Sequence, residues 1–253
     1  MIQPTLLFGA TFAFLSAGIY FYVGRVLSRR RQTSSGSGMA WLMFVVWWYA
    51  LALATFSGGV LSLLGAFGII GLPLFTTITI INLLTTCVAL LGLMFYLLYL
   101  YTGKSSLIWP LGIFYFFFYG LIVYIIELSD PVGVTVNRWN TTLEYQNEIQ
   151  GPLLLIALLL LVFPQIIGSL AYFMLFFQVK AKTQKYRILL VSWSIIIWFT
   201  SSFLAGISGL SQEDWWQVVS RLIGLGAALT ILFAYQPPSW IKRRFGVAAI
   251  AEG

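Results

Sequence analysis

Histidine is absent from this 253-residue chain, cysteine occurs once, and charged side chains make up only 8% of it. Each shortage excludes something. Without histidine there is no histidine-ligated haem and no His-containing zinc site, and no cysteine cluster stands in for one. The most common general base is missing as well. The single cysteine, Cys87, cannot close a disulfide within one chain, and its place in an apolar run reads as a small core residue. Soluble domains carry about 25% charged residues. A chain that is 60% apolar and 8% charged belongs instead with helical integral membrane proteins.

The basic excess, fourteen Lys and Arg against seven Asp and Glu, raises nucleic acid as a partner. Its distribution argues against that, because the basic residues sit in short connectors between apolar runs, as topology signals do. Seven such runs are long enough to cross a bilayer core, which needs about 20 residues. They are expected as helices over about 5–27, 39–64, 74–102, 107–128, 151–179, 188–207 and 215–235, with Pro164 as a kink in the fifth. Together they form one all-α transmembrane domain over residues 1–244, with 245–253 as a short tail. The connector 129–150 is the one long polar loop. Positive residues follow the first run rather than precede it, the reverse of a secretory signal peptide, so the first helix is expected to be retained.

Connectors after helices one, three, five and seven hold twelve of the fourteen basic residues, among them Arg29, Lys104, Lys180 and Lys242. The opposite side holds Arg138 and Arg221 and six of the seven acids: Glu127, Asp130, Glu144, Glu148, Glu213 and Asp214. The positive-inside rule then places the N-terminus outside and the C-terminus in the cytoplasm of the plasma (inner) membrane.

The first three helices resemble the last three. Tyr20-Phe21 before a basic connector corresponds to Tyr172-Phe173 before another. Trp47 with Ser57-Gly58 corresponds to Trp198 with Ser208-Gly209, Leu91-Gly92 to Leu225-Gly226, and Tyr101 to Tyr235. A three-plus-one-plus-three plan with an odd helix between the halves makes the repeat parallel. Chance matching of low-complexity apolar segments is the competing explanation.

This plan resembles the transporter–opsin–receptor group of seven-helix proteins. The exit from helix seven, Tyr235-Gln-Pro-Pro-Ser-Trp240-Ile-Lys-Arg-Arg244, resembles the end of the seven-helix input modules of bacterial sensor histidine kinases. The resemblance covers about ten residues. It implies an output domain on another chain or outside this one. A microbial rhodopsin needs a lysine in the middle of helix seven for its retinal, and this helix has none. Pro164-Gln165 is similar to the Pro-Gln pair of the sugar-transporter and PQ-loop families. Its counterpart at the repeat offset is Phe12-Ala13, so the pair is not repeated.

Polar groups at membrane depth are the candidate site residues. Arg221 either snorkels to the outer headgroups or faces the bundle, paired with Glu127 or Asp130 or with a ligand carboxylate. Asn82 in helix three and Gln165 in helix five either line a cavity or bond a neighbouring helix. Most tryptophans lie near span ends, as interface anchors do. Trp47 and Trp198 are deeper and suit a cavity or packing. Phosphate loops, paired catalytic carboxylates and nucleophile–base pairs are absent from the sequence, so it offers no basis for an enzyme, a metal site or a bound cofactor. The expectation is a membrane-embedded sensor or receptor-like module for a small ligand or lipid, acting through a cytoplasmic or membrane partner. A small-solute transporter and a non-catalytic subunit of a larger membrane complex are the alternatives.

Overall fold

The computed structural model describes residues 3–33, 38–138, 141–146, 150–208 and 215–246. Within them the chain forms helices α1 (Pro4–Thr33), α2 (Met39–Ala66), α3 (Leu72–Thr102), α4 (Ile108–Leu128), α5 (Gln150–Gln178), α6 (Lys182–Ser208), α7 (Trp216–Tyr235) and α8 (Ser239–Phe245). Strands β1 (Pro131–Val136) and β2 (Thr141–Tyr145) lie between α4 and α5. Among the described residues six helices are long and apolar enough to span a membrane, and Ile166–Gln178 of α5 is a shorter apolar stretch. The molecule is an all-α membrane bundle. In hydrocarbon every backbone N–H and C=O must be satisfied within the protein, and long unbroken helices do that residue by residue.

Several helices run past the hydropathic boundaries. α1 continues through the Arg29–Arg31 run to Thr33, and α6 already begins at Lys182. Arg and Lys are good helix formers, and cations are favoured where a helix carries its negative end, so a basic run does not terminate α1. α3 does stop where the sequence says. Gly103 takes the left-handed conformation (φ 65°) and its N–H bonds the Tyr99 carbonyl at 2.8 Å. After Pro237-Pro238 the chain is not a plain exit. It re-forms as α8, with Ile241 buried, Trp240 exposed, and Lys242, Arg243 and Arg244 in its last turn.

The polar connector 129–150 is not a structureless loop. β1 and β2 pair antiparallel, with Val134 opposite Leu143 and Val136 opposite Thr141. Asp130, at φ 47°, makes the corner that leaves α4, a backbone conformation Asp tolerates better than most residues. Its carbonyl accepts the Gln146 N–H at 3.1 Å and closes the base of the hairpin. Tyr145 packs against the core, and burial pushes its phenol above the ordinary range. The hairpin lies over the neighbouring helix ends. The Thr141 side chain fills the space where a side chain on Gly65 would stand, and the Thr5 hydroxyl donates to the Arg138 carbonyl. The Gln3 N–H bonds the Ala66 carbonyl at 3.1 Å. This is the hairpin end of the bundle. The opposite end is the basic end.

The helices close into a ring. α1 packs along α2, α2 along α3, α3 against α5, α5 against α6, α6 along α7, and α7 back against α1. α4 lies outside the ring and packs against α3 and α5. Lipid gives little reason for apolar surfaces to associate, so close approach comes from small residues. At Gly92 of α3 an added Cβ would stand 2.7 Å from the Met43 carbonyl oxygen of α2. The α6–α7 pair is latched by hydroxyls. Tyr186, Ser194 and Ser201 of α6 donate to the carbonyls of Phe233, Ala227 and Ser220 of α7, at 2.9, 2.9 and 2.6 Å. The core toward the basic end is aromatic. Trp47 and Trp48 meet at 3.9 Å between centroids with their planes tilted by 35°, Phe44 meets Tyr96 at 4.2 Å, and Tyr20 leans on Trp48 at 5.9 Å.

Candidate functional site

Arg221 is five residues into α7, about 8 Å below its start at 1.5 Å per residue. Its guanidinium lies across Gly58 of α2, where an added Cβ would come within 3.2 and 3.3 Å of Nη1 and Nη2. Glycine leaves that space open, and a side chain there would press the guanidinium aside by a few tenths of an ångström. The side chain is enclosed by protein and keeps partial exposure because it lines a cavity. Its Nε is buried without a hydrogen-bond partner. Among the described residues the guanidinium has no ion pair or hydrogen bond.

The cavity has a volume of about 90 Å³ and lies between four helices. α1 contributes Ala13, Ser16 and Tyr20, and α2 contributes Thr55. α6 contributes Trp198, Ser201 and Ser202, and α7 contributes Ser220, Arg221 and Gly224. The hydroxyls share one property: each donates its proton to a main-chain carbonyl. Ser16 bonds Phe12, Thr55 bonds Leu51 and Ser202 bonds Trp198, at 2.8, 2.8 and 3.1 Å, each within its own helix. Ser220 bonds Gln217 at 2.8 Å, Ser201 bonds Ser220 across the α6–α7 contact at 2.6 Å, and Tyr20 bonds Gly224 across the α1–α7 contact at 3.3 Å. A hydroxyl that has given its proton away offers lone pairs only. The wall therefore accepts hydrogen bonds, and the arginine donates them.

Of the residues singled out from the sequence, Arg221 and Trp198 share this cavity. Asn82 is one contact removed. Its Nδ2 donates to the Ala54 carbonyl at 2.5 Å and to the Ser57 hydroxyl at 2.8 Å, so it fixes the turn of α2 that ends at Gly58. Trp47 is not at the cavity. It is buried and packs where α2 crosses Gly92, so the two repeat-related tryptophans have different surroundings. Glu127 and Asp130 are exposed and do not pair with Arg221. The reason is topological, because α4 packs against α3 and α5 while Arg221 faces α1, α2 and α6. The Gln165 side chain, and Glu213 and Asp214, lie outside the described residues.

Ser16, Thr55, Ser201, Ser202 and Ser220 were not named as site residues from the sequence, and Tyr20 and Gly58 entered only through the repeat. A usable signal was there: Ser201-Ser202 and Ser220-Arg221 are adjacent polar pairs inside apolar helices that are consecutive in the chain and therefore expected to pack together.

Comparison with protein-family models, curated proteins and solved structures finds no match to this chain. The functional reading rests on the chain's own chemistry.

Proposed function

We propose that the protein is a receptor-like membrane module, with the cavity beside Arg221 as its ligand site. One observation carries this reading: an arginine whose Nε is buried without a hydrogen-bond partner among the described residues lines a partly open cavity together with six hydroxyl-bearing side chains. A charged side chain inside a membrane helix is costly, up to about 2.5–3.5 kcal/mol at the helix centre on insertion scales, and such charges face the bundle interior or a water-filled cavity and mark functional sites. In this reading α5 is the seventh crossing, the hairpin end faces outside and the basic end faces the cytoplasm, in keeping with the charge asymmetry of the connectors. A ligand would reach the cavity from the outer half of the bilayer. Its occupancy would be passed through the aromatic core to α8 and a cytoplasmic or membrane partner.

The test is mass spectrometry of small molecules that co-purify with the full chain, for wild type and for Ser202→Phe, which fills the cavity. A molecule enriched with wild type and lost from Ser202→Phe is the expected result. Equal recovery from both would remove the cavity from the reading.

A transporter is the second reading, and one observation favours it. The cavity lies where α1 and α2 meet α6 and α7, which is the boundary between the two triplets. Uptake of the co-purified molecule into proteoliposomes separates the two, since a receptor binds without net transport.

A further inference from the structure

The cavity specifies more than a ligand of unstated kind. Its charge is that of one guanidinium, with no acid paired to it among the described residues. A neutral occupant would leave that charge buried and uncompensated. A dianion would replace one uncompensated charge by another of opposite sign. A monoanion balances it.

Shape follows from the donor. Guanidinium presents parallel N–H groups in a rigid plane, and its best partner is a planar group with two oxygens side by side. Gly58 lets that plane lie against the α2 backbone, so the arginine is held between a helix and the cavity rather than swinging freely.

Size follows from the volume. About 90 Å³ is smaller than the engineered cavity of ~150 Å³ that admits benzene, so the space suits an occupant of a few heavy atoms.

The other lining residues set the remaining feature. Ser16, Tyr20, Thr55, Ser201, Ser202 and Ser220 have committed their protons to carbonyls. They face the cavity as acceptors, so an occupant that touches them gains only if it brings its own donor.

We propose that the cavity binds a small planar monoanion of carboxylate geometry that carries an O–H group, its two oxygens on Arg221 and its O–H toward the hydroxyl wall. Bicarbonate has that charge, shape and size. The inference depends on reading the cavity as the ligand site.

The test uses the full chain in lipid nanodiscs, in mildly alkaline buffer at constant ionic strength. It measures the saturable shift in unfolding temperature with four sodium salts or solutes. Bicarbonate and formate share the carboxylate and differ in the O–H. Formamide is the neutral counterpart of formate, and sulfate is a dianion. Bicarbonate is expected to give the largest shift, formate a smaller one, and formamide and sulfate none. Arg221→Gln is expected to abolish both shifts. Gly58→Ala, which crowds the guanidinium without removing it, is expected to weaken bicarbonate binding about tenfold, the cost of one charge-assisted hydrogen bond. If Arg221→Gln does not fold, Gly58→Ala and the four wild-type titrations still decide. Formamide matching formate overturns the anion inference and leaves the receptor reading standing. Sulfate matching bicarbonate, or bicarbonate no better than formate, also overturns it. Wild type responding to none of the four overturns it too, and co-purification then decides whether the receptor reading falls with it.

Discussion

At the scale of single residues, Arg221 makes the empty protein less stable than it need be. Taking a charge out of water costs free energy that a partner must offset, so replacing an unpaired one by an apolar side chain of similar length removes a penalty. Arg221→Met is therefore expected to unfold, without added ligand, at the same temperature as wild type or above it, measured by thermal unfolding in detergent. A marked loss of stability would mean that the guanidinium holds the bundle together. The orientation of Arg221 was not legible in the sequence, for a physical reason. In soluble helices polar and apolar faces differ, so periodicity tells where a residue points. In this chain both faces of most helices are apolar, one toward lipid and one toward protein, and the periodic signal is flat. The presence of Arg221 was legible. Its partners, Gly58 and the hydroxyl wall, depend on which helices meet, which hydropathy does not encode. Trp47 and Trp198 show the same limit: one pattern in sequence, a packed core in one place and a cavity wall in the other.

At the scale of elements, the long helices were legible because length and hydropathy alone define them. The hairpin was missed although β1 alternates through Val132, Val134 and Val136, because both strands are short and lie in a connector whose charges read as loop. It is held by the adjacent helix ends and by its own Tyr145, which packs against the core. Between helices, polar contacts do specific and modest work. Asn82 ties α3 to α2 through two acceptors. Interhelical hydrogen bonds in membranes average about 0.6 kcal/mol and reach about 1.7. Asn82→Ala is expected to lower stability by about 1 kcal/mol, read from unfolding in mixed micelles. It is also expected to weaken ligand response, since Asn82 steadies the turn that carries Gly58. Loss of stability with ligand response unchanged would separate α3 from the site.

At the scale of the whole molecule, the charge asymmetry is the feature to check first. Cys87 is buried, so the wild-type chain is a quiet background for thiol labelling. Asn137→Cys, at the exposed tip of the hairpin, is expected to react with a membrane-impermeant maleimide on intact cells. Lys180→Cys, in the exposed connector between α5 and α6, is expected to react only after lysis. The reverse pattern would invert the bundle and, with it, the side from which the cavity is reached.

Ring closure has one more consequence. The covalent link between the first three helices and the rest is the exposed turn Gly103–Ser106, whereas the two parts meet at three non-covalent seams: α3 with α4 and α5, α7 with α1, and the hairpin with α2 and α3. Fragments 1–103 and 104–253, made as separate polypeptides in the same membrane, are expected to find each other and co-purify, because helices that are stable individually associate afterwards through their surfaces. The continuity of the chain would then be dispensable for assembly. The strength of fragment association, with and without ligand, would give a direct reading of how firmly the site holds its two halves together.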